Sequence, residues 1–91
     1  MIKLTEKAKE EILKTLNSPQ IPSEYALRVG MKGGSCAGTY MLGLDKPTEH
    51  DELHLIDGVR VLIDKRQLMY VVGVEVDYVN NSETVGFTIK K

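Results

Sequence analysis

Several functional classes are excluded by what this chain lacks. It carries one cysteine, so no intramolecular disulfide can form and the thiol stays free, as suits a reducing compartment. Its apolar runs are only a few residues long, too short to span a membrane. The opening Met1-Ile2-Lys3-Leu4-Thr5-Glu6 has no apolar stretch of the signal-peptide kind, and the expected location is the cytoplasm, away from membranes. Charge of one sign is equally scarce. Twelve basic residues face thirteen acidic ones, and the lysines are scattered from Lys3 to Lys91 without a block, which disfavours nucleic-acid binding through a basic patch. There is no internal repeat and no low-complexity segment. With 42% hydrophobic and 27% charged residues, the expectation is an ordinary globular chain forming one domain over residues 1–91.

What is present is patterned. Thr5 is placed to cap a helix from about Glu6 to Leu16, in which Ala8, Ile12, Leu13 and Leu16 recur at helical spacing and charged residues take the other face. Asn17, Ser18 and Pro19 end it. From Tyr25 the period becomes two, and Tyr25, Leu27, Val29 and Met31 predict a half-buried strand. Thr39 to Leu44 reads as a returning strand and Lys46 to Asp51 as a loop. Leu53 and Leu55 begin another strand, Asp57-Gly58 is a two-residue hairpin turn, and Val59, Val61 and Ile63 alternate on the way back. Asp64 then caps a short helix with Leu68, Met69, Val71 and Val72 on its apolar face, ended by Gly73. Val74, Val76 and Tyr78 form a further strand, and Val85 to Ile89 the last. The fold class expected is α+β with mainly antiparallel pairing.

Cys36 stands in Gly33-Gly34-Ser35-Cys36-Ala37-Gly38, between two predicted strands. Gly33, Gly34 and Gly38 free the backbone for positive φ and close approach, and successive N–H groups in such a loop can converge on an anion such as a thiolate or a cluster sulfide. A lone cysteine is also often a small buried hydrophobe, and a glycine-rich turn is what an ordinary hairpin needs. On these residues alone both readings stand.

Other constellations are weaker. His50 and His54 are four apart, but on a strand that spacing separates them by about 13 Å, too far to share one metal ion. Asp51 follows the first histidine where a zinc protease signature needs glutamate, so both histidines read as solvated. A Cys36 nucleophile with a histidine base has no local signature around it. Glu75 and Asp77 share a strand face and read as a solvated pair balanced by Arg60. His50-Asp51-Glu52-Leu53 spells a retention signal that works only at a C-terminus.

Taken together, Leu4-Thr5-Glu6, Leu27-Arg28-Val29, Gly33-Gly34-Ser35-Cys36-Ala37-Gly38, Gly43-Leu44-Asp45, Ile56-Asp57-Gly58-Val59, Asp64, Leu68-Met69-Tyr70, Gly73, Val76-Asp77-Tyr78 and Gly86-Phe87 resemble, in order and spacing, the A-type iron-sulfur carrier family, also called HesB-like or IscA-type. The resemblance implies a compact HesB-like domain that holds iron or an iron-sulfur cluster transiently and passes it to acceptor proteins, without being an enzyme. It implies that Cys36 is a metal ligand and that Gly33, Gly34 and Gly38 belong to the cofactor-binding loop. Two departures stand out. Tyr40 arrives one position early, as after a one-residue deletion, and the family's Cys-Gly-Cys tail has no counterpart before Lys91.

Ligand counting sharpens the expectation. A [2Fe-2S] cluster held by thiolates alone needs four, whereas one chain supplies one and a symmetric homodimer two. Iron or a cluster would be weakly held, with further ligands from a tail, a second subunit, glutathione, an assembly or acceptor partner's cysteine, a histidine or a carboxylate. The alternatives are a degenerate, metal-free interaction module of the same fold, and a thiol-dependent enzyme or redox sensor using Cys36 alone.

Overall fold

The computed structural model describes residues 1–32 and 39–91. In chain order the elements are β1 (Lys3–Leu4), α1 (Glu6–Leu16), β2 (Ala26–Lys32), β3 (Thr39–Asp45), β4 (Asp51–Ile56), β5 (Val59–Asp64), a 3-10 turn (Lys65–Gln67), α2 (Leu68–Val71), β6 (Glu75–Asn80) and β7 (Val85–Lys90). The predicted α+β plan holds, and the strands fall into two sheets. One has the order β3-β2-β5-β4 and the other β1-β6-β7. Pairing is mainly antiparallel, as expected, with β2 parallel to β5 and β1 parallel to β6 over two residue pairs each.

A shared core joins the sheets. α1 contributes Ala8, Ile12 and Leu16, the larger sheet Leu27, Val29, Val59, Val61 and Ile63, and the C-terminal half Val71, Val74 and Val76. α1 begins where Thr5 leaves the helical conformation and its Oγ1 accepts from the Ala8 N–H at 3.2 Å. The same hydroxyl donates to Asp77 Oδ1 at 2.6 Å, fastening the start of the helix to β6. No helix among the described residues is long and apolar enough to cross a membrane.

Leu53 and Leu55 lie on a strand as expected and face outward, 58% and 73% exposed, while the alternate positions Glu52, His54 and Ile56 are more covered. Two expectations need correction. The helix after Asp64 is a 3-10 turn followed by one turn of α2; Val71 is buried while Met69 and Val72 are exposed. Arg60 does not balance Glu75 and Asp77. It donates to the carbonyls of Ser23 and Tyr25, whereas Glu75 lies opposite Lys90 and Asp77 receives Thr5.

Candidate functional site

The cysteine loop springs from the hairpin of β2 and β3. Register carries that hairpin from Ala26 opposite Asp45 to Met31 opposite Tyr40 and Lys32 opposite Thr39. Cys36, Gly33, Gly34 and Gly38 lie outside the described residues, so the site is built here from its stems and surroundings.

β2 is held differently on its two sides. β3 accompanies it throughout, but β5 pairs with it only at Leu27 and Arg28. Further along, the partner is a side chain. Gln67, at the end of the 3-10 turn, accepts from the Met31 N–H at 3.1 Å and donates to the Met31 carbonyl at 2.7 Å. Gly30 makes room for it, since a Cβ there would stand 2.7 Å from Gln67 Oε1. The turn is set by Asp64, whose carboxylate accepts from the Arg66 N–H at 2.9 Å and binds the Arg66 guanidinium, which holds the Asp64 carboxyl well below the usual carboxylate range. Neither Gln67 nor Gly30 stands out in the sequence as a site residue. The one available signal was a glycine inside a strand, which marks a close approach.

On the other side of the stem, Thr39 and Tyr40 open a cavity of about 410 Å³ shared with Leu42, Phe87 and Ile89. β3 and β7, edge strands of different sheets, therefore line one open cleft, and Phe87 packs edge-on against Tyr78 with ring centroids 4.9 Å apart. The last strand of the chain thus runs beside the base of the cysteine loop.

The histidines belong to neither stem. His50 sits in the turn before β4, with Nε2 3.7 Å from Glu49, and His54 lies on β4, with Nε2 3.0 Å from Glu52. β4 occupies the opposite edge of the sheet from β3. Among the described residues, no three His, Cys, Asp or Glu side chains are grouped to hold a metal ion.

Comparison with known proteins decides the family. Residues 1–91 match the family described as iron-sulphur cluster biosynthesis. The chain belongs to that family. This HesB-like member is 33% identical over 91 residues to the iron-sulfur cluster insertion protein ErpA of Francisella tularensis subsp. novicida, with 98% of the chain and 78% of the relative covered. Its fold matches the crystal structure of Escherichia coli SufA, involved in biosynthesis of iron-sulfur clusters, at a TM-score of 0.80 and 25% identity, covering 98% of this chain and 78% of that one. It also matches IscA with the [2Fe-2S] cluster at a TM-score of 0.73 and 25% identity, covering 99% and 81%. The HesB-like fold that the family resemblance implies is therefore the fold of this chain.

Proposed function

We propose that this chain is an iron-sulfur cluster assembly accessory or carrier protein that takes up iron or a cluster as cargo through Cys36 and passes it to acceptor proteins, acting as a carrier and not as an enzyme. The observation that carries the reading is the family match over residues 1–91, combined with the place of Cys36 in the sequence between β2 and β3. A thiolate is the ligand iron prefers in such cargo, and this is the only one the chain has. Gly33, Gly34 and Gly38 let the loop backbone come close to the cargo, and their N–H groups offset its negative charge.

Because one thiolate cannot complete a cluster, further ligands are needed: from a second copy of the chain, a partner's cysteine, a small thiol such as glutathione, chain beyond Lys91, or a histidine or carboxylate. Weak, exchangeable holding follows, and it suits a protein that hands its cargo on. The direct test is anaerobic reconstitution with ferrous iron and sulfide in the presence of glutathione. Visible thiolate-to-iron absorption should develop and should vanish in Cys36→Ser. Absorption that is absent in the unaltered chain, or unchanged by the substitution, sinks the proposal and favours a metal-free interaction module of the same fold.

A further inference from the structure

A strand that leads into a functional loop is normally fixed by neighbours on both sides. β2 loses its neighbour on one side after Arg28, three residues before Met31. Gln67 takes that place. Both main-chain groups of one residue point to the same side of a strand, so a partner that binds the two together must offer an acceptor and a donor side by side. A carboxamide does this without charge, and the Gln67 group does so at 3.1 Å and 2.7 Å. Gly30 is the other half of the device, because any larger residue would push Oε1 off its seat. Met31 lies opposite Tyr40, so fixing Met31 also fixes the facing residue, and the next pair, Lys32 with Thr39, is the last before the cysteine loop.

We propose that Gln67, seated over Gly30, is a positioning residue for iron or cluster binding at Cys36. It touches no reacting atom. It acts through Met31, holding the two stems in register at the last described pairs on either side of residues 33–38. The proposal rests on the reading of Cys36 as a metal ligand.

Gln67→Met keeps the side-chain length and removes the polar pair, while Gly30→Ala leaves Gln67 in place and displaces only the end of its flexible side chain. Three quantities are read in each variant: iron–thiolate absorption during anaerobic ferrous titration with glutathione, exchange of the Met31 amide, and the thermal midpoint. Each single variant should expose the Met31 amide and weaken iron binding by about 10-fold or more, the range for residues that orient metal ligands. The double variant should be no weaker than the worse single, because both changes disable one contact. Iron binding within about twofold of the unaltered chain while the Met31 amide exchanges fast, whatever happens to the thermal midpoint, overturns the proposal, since the clamp would then be purely structural; a twofold change falls well short of the expected loss of about 10-fold or more. Should Gln67→Met fail to fold, Gly30→Ala carries the same test. An unaltered chain that shows no iron–thiolate absorption overturns the ligand reading itself, a different result from loss confined to the variants.

Discussion

Arg28 lies in the middle of β2, where its guanidinium reaches two carboxylates from different segments. Nη1 and Nη2 bind the two oxygens of Asp51 at 2.6 and 2.7 Å, and Nε binds Asp45 at 3.1 Å. Asp51 also accepts from the N–H and hydroxyl of Thr48, so its side chain, 1% exposed, is buried with its charge fully partnered. Hydrogen bonding to Arg28, followed by that to Thr48, lowers the Asp51 carboxyl from 3.8 to about 2. A carboxyl whose folded pKa is depressed stabilises the fold above the unfolded pKa and loses that contribution as pH falls through the folded one. The contribution is on the order of 2 kcal/mol, lost between about pH 4 and pH 2. Urea unfolding at a series of pH values should show Asp51→Asn less stable at neutral pH by at least that amount and with a shallower decline over the acid window. An acid decline as steep as that of the unaltered chain would show that other groups govern it. This pair was not legible in the sequence. Arg28 and Asp51 are 23 residues apart, and only the strand order β3-β2-β5-β4 brings the start of β4 within reach of β2.

At the scale of elements, local signals were legible and tertiary ones were not. α1 occupies Glu6–Leu16 as its spacing predicts, with Thr5 as its cap, and the Asp57-Gly58 turn adopts φ values of 50° and 83°, the left-handed pair that such a hairpin requires. Asp77, which Thr5 binds from 72 residues away, could not be inferred, because nothing in the local pattern links α1 to β6. Periodicity located β4 but left its covered face open, since alternation gives a period without saying which side is covered. β1 is two residues long and carries no period at all. The joint between α1 and β6 is open to test. Thr5→Ala should cost about 1 kcal/mol through the lost cap alone, and Thr5→Ser, which keeps the hydroxyl, should be nearly neutral. Equal loss in both variants by chemical denaturation would place the stabilisation in the Thr5 methyl group and not in the hydrogen bonds.

The whole molecule poses a problem of number. The family's fold is present, with a last strand running beside the base of the β2–β3 stems, but one chain brings one thiolate, whereas an all-thiolate [2Fe-2S] cluster, the kind of cargo proposed, needs four. The sequence offers Cys36 and its glycines as candidates, because glycine-rich composition is a local signal. The surroundings of the stems, Gln67 and the β3–β7 cavity, could not be inferred, because they come together only when the 3-10 turn and the second sheet fold onto β2 and β3. If the missing ligands come from outside the chain, cargo retention must follow the supply of external thiol and not chain concentration alone. Iron kept after anaerobic desalting should therefore rise with added glutathione in the unaltered chain and stay near background in Cys36→Ser. A second copy as the donor makes a different prediction. Two chains offer two thiolates, so even a dimer should gain retention from glutathione, while its yield should also grow with protein concentration. Retention that is complete without added thiol, at concentrations where gel filtration shows a monomer, would mean that the chain supplies ligands other than cysteine.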